Sequence, residues 1–249
     1  MPRYFLEVAY KGTNYSGFQI QQNANSIQRE IENAFSTIQK EKITLTGSSR
    51  TDAGVHALQN FFHFDFDDTI DSHLVYKMNA ILPGDIAIIK LIPVNSSAHC
   101  RFDAKNREYK YFIYRHKDPF LKDRGYYFPY KLDIGAMQQA AEMIKNYDDF
   151  TSFSKRNTQV KSFICEIGES KWDWEGDCLV YYVRANRFLR GMVRSLVATM
   201  LQIGREKMSV AEFKIAIEER NCTKAKFGAP PHGLFLVAVN YPENYFSLK

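Results

Sequence analysis

The spacing of hydrophobic residues divides the first hundred residues into six elements. Alternation of apolar and polar residues predicts strands at residues 3–10, 43–47, 60–66 and 86–93. Helical spacing predicts one helix over 26–39, capped by Asn25 or Ser26, and a shorter one from about Asp71 or Ser72 to Pro83. The fourth strand is apolar enough to be central in its sheet. The order β-α-β-β-α-β is that of a ferredoxin-like sandwich.

The same order begins again in the second half, with insertions. The pattern predicts, in turn, a strand at 107–116, a helix from Asp133, strands at 161–172 and 178–186, helices at 188–203 and 209–220, and a strand at 233–241. Gly204 is expected to end the long helix. We therefore predict an α+β protein of two ferredoxin-like (RRM-like) domains, residues 1–101 and 102–249. Their antiparallel sheets would lie side by side, with a cleft between them where ligand sites prefer to be.

The two-residue period of a strand also assigns side chains to faces. In the third strand one face carries three phenylalanines, Phe62, Phe64 and Phe66. In the strand over 107–116, Tyr109 and Tyr111 share a face, and basic residues alternate with aromatic ones (NREYKYFIYRH). Such a strand could bind RNA, with cations on phosphates and rings stacked on bases. It could equally be a strand with a buried aromatic face and a solvated basic face.

The composition is that of a globular protein and does not by itself indicate a function. The chain has 249 residues, 45% hydrophobic and 24% charged, with a net charge of +5. Its apolar runs are too short to cross a bilayer and MPRYFLEV lacks the apolar core of a signal peptide, so we expect a cytoplasmic protein. The mild basic excess is compatible with a polyanionic partner. The four cysteines and six histidines are scattered, which argues against a metal site, and no dinucleotide or Walker motif asks for a cofactor.

The stretch SSRTDAGVHA, from Ser48 to Ala57, holds the candidate chemistry. It lies between two predicted strands, a position where a rigid scaffold presents loop side chains. Asp52 could be a turn former that accepts hydrogen bonds from nearby backbone N–H groups. It could also be an ionised nucleophile or base, stabilised by a guanidinium. Arg50 is one candidate for that guanidinium, and the helix over 188–203 offers a stripe of others: Arg187, Arg190 and Arg194.

A tyrosine and two histidines are further candidates for a chemical role. Tyr109, at the lip of a cleft, could stack on an extruded base, and its hydroxyl could shuttle a proton. His56 and His63 lack partners at a diagnostic spacing, so we interpret both as structural or RNA-contacting.

The motif SRTDAGVHA resembles the signature of the TruA family of tRNA pseudouridine synthases, in which the aspartate of R-T-D is catalytic. Further blocks resemble that family in the same order: YKGTNYSGFQIQ, NAILPGDIAI, HCRFDAKNREYKYFIY, DDFTSF, ANRFLRGMVR and GLFLVAVNYP. Together they cover nearly the whole chain. The resemblance is therefore highly specific.

This resemblance implies two ferredoxin-like domains, a homodimer with basic clefts, and isomerisation of uridine to pseudouridine at positions 38, 39 and 40 of the tRNA anticodon arm. Asp52 takes the place of the catalytic aspartate and Tyr109 that of the active-site tyrosine. Arg194 takes the place of the arginine that pairs with the aspartate, and Arg50 that of the arginine in R-T-D. The partner would be tRNA, with no cofactor, metal, membrane or DNA.

Three residues depart from the family pattern. Ser49 and Ala198 stand where glycine is usual or frequent, and Phe18 stands where tryptophan is common. Ser49 could tighten or re-aim the loop, because serine resists a positive φ. None of the three removes a residue with a proposed catalytic role.

Two other functions remain open. An RNA-binding module could use an RRM-like sheet, although it would have no use for Asp52, Tyr109 and Arg194 together. A hydrolase could use Asp52, but glycoside hydrolysis normally needs a second carboxylate nearby. Asp65, Asp67 and Asp68 are present without a spacing that commits one of them.

Overall fold

The computed structural model describes residues 1–68, 70–155, 160–222 and 228–246, which fall into two compact units. The first unit comprises Met1–Lys105 together with the chain from Leu236 onwards, and the second comprises Asn106–Phe235. The predicted boundary at Arg101 lies close to Lys105, where the first unit gives way to the second. The sequence pattern placed the last strand in the second domain, whereas in the structure the chain returns to the first unit at Leu236. Hydrogen bonds explain its place in the first unit. The Lys105 N–H donates to Asn240 O at 2.7 Å, and the Val239 N–H donates to Gln59 Oε1 at 3.1 Å.

The first unit has the predicted element order. Its elements are β1 (Arg3–Tyr10), α1 (Ile27–Gln39), β2 (Thr46–Gly47), β3 (His56–Asp65), α2 (Leu74–Ile81) and β4 (Ile86–Val94). β1 pairs antiparallel with both β3 and β4, and β2 pairs antiparallel with β3. The last strand of the chain, β9 (Leu234–Asn240), follows β3 in the strand order. Ser26 caps α1 by accepting a hydrogen bond from the Arg29 N–H, as the sequence predicted.

Three strands of the first unit differ from the prediction. β2 is short because the Leu45 N–H donates to the Glu32 carboxylate at 2.9 Å, outside any strand pairing. β3 begins at His56, so it includes the end of the SSRTDAGVHA motif. The prediction that β4 is central is wrong: β4 lies at the end of the strand order of the described residues, and Ile89 is 53% exposed. Hydrophobicity alone could not distinguish a central strand from an edge strand with one buried face.

The predicted faces of β3 are confirmed by ring contacts. Phe64 and Phe66 pack edge-on against Phe35 of α1, with ring centroids 5.3 and 5.2 Å apart. Phe62 stacks on Phe18 at 4.4 Å, so the phenylalanine at position 18 is part of the core. The opposite face of β3 places Phe61 against rings from β1 and the C-terminal segment. Each buried phenylalanine contributes about 1.5–3 kcal/mol to the stability of the fold.

The second unit is also mixed α and β, which confirms the α+β class. Its elements are β5 (Asn106–Tyr114), β6 (Tyr126–Tyr127), α3 (Ile134–Met143), β7 (Ile167–Glu175), β8 (Cys178–Ala185), α4 (Met192–Gly204) and α5 (Val210–Glu218). β8 lies between β5 and β7 and is antiparallel to both, while the short β6 is parallel to β5. No helix among the described residues is long and apolar enough to span a membrane.

The alternation predicted for β5 is confirmed, and it decides between the two interpretations of that strand. Its buried face consists of Arg107, Tyr109, Tyr111 and Ile113. Tyr111 is 0% exposed and Tyr109 is 8% exposed. β5 is therefore a strand with a buried aromatic face and does not present these rings as an open stacking surface.

The long helix α4 begins at Met192, later than predicted. The preceding residue, Gly191, has φ 75°, a left-handed conformation that a helix cannot continue and that favours glycine. Arg187 and Arg190 therefore precede the helix, and the predicted arginine stripe is wrong because only Arg194 lies in α4. Gly204 was predicted to follow the helix and end it, but it is the last residue of α4, and Arg205 is the C-cap. A Cβ there would lie 2.4 Å from the Met137 sulfur, so the glycine allows close packing against α3.

Candidate active site

Asp52 lies half-buried in the loop between β2 and β3. The loop closes as a turn in which the Val55 N–H donates to Asp52 O at 3.1 Å, and Gly54 has φ 77°. The motif needs glycine at this position because an L side chain resists a left-handed backbone. The turn leads directly into β3, which places the aspartate at the end of a paired strand.

A buried polar network lies beneath this loop, and its centre is Asn60 of β3. The Asn60 Nδ2 donates to Ser49 O at 3.1 Å and to the Tyr10 hydroxyl at 3.2 Å. The Asn60 Oδ1 accepts from Ser48 Oγ at 2.8 Å and from the Phe61 N–H at 2.9 Å. The Tyr10 hydroxyl is in turn 2.9 Å from Thr51 Oγ1. Three of the four residues before Asp52, namely Ser48, Ser49 and Thr51, are thus bonded to the sheet.

The segment after β1 holds the loop from its other side. The Phe18 N–H donates to Thr51 O at 3.2 Å, and the Gly54 N–H donates to Tyr15 O at 3.3 Å. Gly17 has φ 106°, and a Cβ there would lie 3.0 Å from Thr51 O. The two loops approach so closely that a larger residue at position 17 would push the Asp52 loop out of place.

His56 has a structural role. Its Nδ1 accepts a hydrogen bond from the Gly12 N–H at 3.0 Å, and its side chain is buried. An accepting Nδ1 carries no proton, so the ring is neutral with its proton on Nε2. His56 therefore ties the segment after β1 to the start of β3, in agreement with the structural interpretation.

Arg50 and Ser49 complete this loop. Arg50 is exposed to solvent. Ser49 is buried, and it is not one of the described residues with a positive φ, so its backbone carries no left-handed strain. Its hydroxyl is buried without a hydrogen-bond partner among the described residues. Serine in place of glycine at position 49 therefore buries a hydroxyl group and does not strain the backbone.

Arg194 lies in the first turn of α4 in the second unit and is half-buried. Its Nε donates to Ala229 O at 2.7 Å. The adjacent carbonyl, Pro230 O, accepts from the Tyr111 hydroxyl at 2.8 Å. Burial raises the pKa of Tyr111, and the positive charge of Arg194 opposes that rise. The guanidinium is thus held against a fixed stretch of backbone.

Tyr109 lies on the same face of β5 as Tyr111, as predicted. Its ring meets Phe188 edge-on, with centroids 5.0 Å apart and an interplanar angle of 84°. At 8% exposure, only a small part of the side chain reaches solvent. Within the second unit, Tyr109 is positioned by packing against an aromatic neighbour.

Each unit therefore contains part of the predicted site: Asp52 and Arg50 share one loop, and Tyr109 and Arg194 lie in the other unit. Sequence reasoning missed Asn60 and Tyr10. The signal was present, because a buried asparagine at the head of an aromatic strand must find hydrogen-bond partners. The partners themselves were not visible, since they lie 50 and 12 positions away in the chain.

Among the described residues, His63, His99 and Cys100 form a group that could hold a metal ion, with ligand atoms within 4.8 Å of one another. Hydrogen bonds already engage these atoms. Cys100 Sγ donates to Thr46 O at 3.1 Å, and His99 Nδ1 accepts from the Arg101 N–H at 3.2 Å. Burial lowers the pKa of His63 to about 4, so the ring is neutral near pH 7. These hydrogen bonds connect the three residues to the rest of the first unit.

Comparison with known sequences identifies the class of protein. A sequence model of the tRNA pseudouridine synthase family matches residues 7–103 and 141–242. The chain belongs to that family.

Full-length relatives agree. The chain is 43% identical over 251 residues to tRNA pseudouridine synthase A of Parabacteroides distasonis, covering 100% of both chains. It is 44% identical to the protein of the same name from Bacteroides thetaiotaomicron, covering 99% of this chain and 93% of the relative. The Staphylococcus aureus protein of that name is 36% identical, with 97% and 92% covered.

Proposed function

We propose that this protein isomerises uridine to pseudouridine in tRNA, with Asp52 as the nucleophile, at positions 38, 39 and 40 of the anticodon stem-loop. The observation that carries the proposal is the Asp52 loop itself. In a chain of the tRNA pseudouridine synthase family, the aspartate of the R-T-D motif follows three residues that are hydrogen-bonded to a buried network. A nucleophile needs such a fixed position relative to its target atom.

The reaction is balanced without an external reagent. The C1′–N1 glycosidic bond breaks, the uracil turns, and a C1′–C5 bond forms; C5 then loses its proton and N1 gains one. The isomerisation involves no net oxidation or reduction. The Asp52 carboxylate would hold one fragment covalently, at C1′ or at uracil C6, while the other fragment reorients.

The remaining candidates take supporting parts. The target uridine must leave its stack before an aspartate can reach it, so the enzyme needs a pocket and a ring against which the base can lie. We assign the contact with the extruded base to Tyr109, through the 8% of its surface that is exposed. We assign the guanidinium that stabilises the Asp52 carboxylate to Arg194, and a phosphate contact to the exposed Arg50. We also propose two ferredoxin-like domains and a cytoplasmic homodimer, as the family resemblance implies.

The rival of a non-catalytic RNA-binding module has less support. RRM-like modules bind single strands through aromatic side chains exposed on a sheet. Tyr109 and Tyr111 of β5 are 8% and 0% exposed, so the strand that suggested this function lacks its open surface.

The test is pseudouridine mapping on unmodified tRNA incubated with the purified protein. Asp52→Asn is assayed in parallel, with Asp67→Asn as the control for loss of a carboxylate at an exposed position. We expect new pseudouridine in the anticodon arm with the wild type and the control, and none with Asp52→Asn.

Other outcomes would contradict the proposal. Activity in Asp52→Asn would exclude that residue as the nucleophile. Release of free uracil would indicate a hydrolase. Binding of tRNA by the wild type and by Asp52→Asn without any pseudouridine would favour the binding module.

A further inference from the structure

We propose that Asn60 and Tyr10 are positioning residues for the Asp52 loop: they transmit the geometry of the β1–β3 sheet to the residues that precede the aspartate. The proposal rests on the proposed function, because it assumes that Asp52 is the nucleophile. It concerns two residues that lie outside the SSRTDAGVHA motif.

The first argument is that the Asn60 amide is fully used. A side-chain amide has two N–H donors and an oxygen with two lone pairs. In this structure both nitrogen contacts and both oxygen contacts are made, to Tyr10 and Ser49 and to Ser48 and Phe61. Asn60 is 0% exposed, so water does not compete for these bonds. The amide therefore has one orientation, and the backbone at Ser49 has one position against it.

The second argument follows the network from Asn60 through Tyr10 to Thr51. The Asn60 Nδ2 has only hydrogens to offer, so the Tyr10 oxygen must accept from it. The Tyr10 hydroxyl hydrogen is then available to Thr51 Oγ1, 2.9 Å away. Burial raises the pKa of Tyr10 to about 12, so the hydroxyl keeps this hydrogen near neutral pH. The chain of bonds from Asn60 through Tyr10 ends one residue before Asp52.

The third argument is that the anchors are themselves rigid. Asn60 lies in β3 opposite Val8 of β1, and Tyr10 of β1 lies opposite Ala57 of β3. Both side chains therefore start from paired backbone. A loop attached at Ser48, Ser49 and Thr51 to two paired strands cannot move its aspartate without breaking buried hydrogen bonds, which would each leave an unpaired polar group.

The principal experiment replaces Asn60 by aspartate, which keeps the size of the side chain and removes both N–H donors. We expect Asn60→Asp to lower kcat about 100-fold, the loss that a displacement of about 1 Å can produce, with the KM for tRNA unchanged. Asn79→Asp is the matched control. Asn79 is an exposed residue that also bonds backbone, donating to Ile88 O and accepting from the Ile88 N–H at 2.8 Å each, so those contacts are made to β4 and not to the Asp52 loop. Its kcat should equal that of the wild type.

A second experiment covers the case in which Asn60→Asp does not fold. Thr51→Val removes the bond between Tyr10 and Thr51, and Thr51→Ser retains it. Tyr10→Phe removes that bond and also the acceptor of one Asn60 N–H. We expect Thr51→Val to lower kcat about 10-fold, Tyr10→Phe to lower it at least as much, the double variant to be no worse than Tyr10→Phe, and Thr51→Ser to retain wild-type kcat.

The outcomes separate this proposal from the proposed function. If Asp52→Asn is inactive while Tyr10→Phe and Asn60→Asp keep wild-type kcat, the positioning role is wrong and the nucleophile stands. If the effects of Tyr10→Phe and Thr51→Val multiply instead of coinciding, the two hydroxyls do not act through one bond. If Asp52→Asn remains active, the proposed function has failed before positioning is tested.

Discussion

The first unit holds Asp52 through short, buried polar side chains, whereas the second unit holds Arg194 and Tyr109 through packing and contacts with a backbone segment. Beneath Asp52, every hydrogen-bonding position of the Asn60 amide is occupied. Arg194 instead bonds Ala229 O, and Tyr109 leans on Phe188. The loop that carries the aspartate is thus attached to its own sheet by buried side-chain hydrogen bonds.

The two arrangements should respond differently to substitution. A buried network has a modest net stability of about 0.5–1.5 kcal/mol per hydrogen bond, but a group left unpaired costs about 1–3 kcal/mol. A long side chain that bonds a backbone carbonyl loses that contact at less structural cost. Substitutions in the first unit should therefore lower both the free energy of unfolding and kcat. Substitutions in the second unit should lower one of these quantities without the other.

Replacement of Arg194 should give the largest effect. We expect Arg194→Ala to lower kcat about 100- to 1,000-fold, the range seen when one charge-stabilising donor is removed, because the aspartate would lose its proposed counterion. The control is Arg205→Ala at the other end of α4, where the guanidinium lies 3.9 Å from the centroid of the Tyr130 ring. Wild-type kinetics in Arg194→Ala would show that another cation supports Asp52. Arg194 would then have no place in the comparison of the two units.

The first unit should lose stability in acid through His63. Burial, then the nearby charges of His99 and Arg3, lower the pKa of His63 to about 4, and Asp65 and Asp103 oppose this. Because the folded pKa lies below the unfolded value of about 6.5, the unfolded state takes up the proton first. Stability is thus full above about pH 6.5 and falls towards pH 4, by up to roughly 2–3 kcal/mol.

Denaturant unfolding at pH 7 and pH 5 measures this loss. In His63→Asn the decrease between the two pH values should be smaller than in the wild type. An identical decrease in both proteins would show that other groups cause the acid sensitivity.

Two tyrosines on one face of β5 should behave differently. Tyr109→Phe keeps the ring and removes the hydroxyl, so we expect kcat to fall about 10-fold or more while tRNA affinity is retained. Tyr111→Phe removes the donor to Pro230 O and should cost about 1 kcal/mol of stability. Single-turnover kinetics and unfolding of both variants give the comparison. Equal losses of binding and rate in Tyr109→Phe would argue against a chemical role for its hydroxyl.

The smallest effect distinguishes two neighbouring serines beneath Asp52. Ser48 Oγ donates to Asn60, whereas Ser49 Oγ is buried without a partner among the described residues. Ser48→Ala should lower the free energy of unfolding by about 1 kcal/mol, and Ser49→Ala should raise it by a similar amount. Thermal unfolding of the two variants decides the sign. A destabilised Ser49→Ala would mean that its hydroxyl is bonded in solution.

The sequence predicted those features that depend on neighbours along the chain. Apolar residues three to four positions apart predicted the helix that Ser26 caps. Alternation every second residue predicted the buried face of β5. Likewise, the family was visible in short motifs. Where a single backbone conformation intervened, the pattern misled: one left-handed glycine, Gly191, was enough to move the start of α4 and remove the arginine stripe.

Periodicity and short motifs therefore sufficed for the α+β class, the faces of β3 and β5, and the resemblance carried by the Arg50–Asp52 motif. The place of β4 at the end of the strand order and the contacts of Asn60 and Tyr10 with the aspartate loop could be seen only in the folded chain. The physical reason is sequence separation. Periodicity reports which side chains share a face, but a hydrogen bond between residues 50 positions apart exists only after strands have paired.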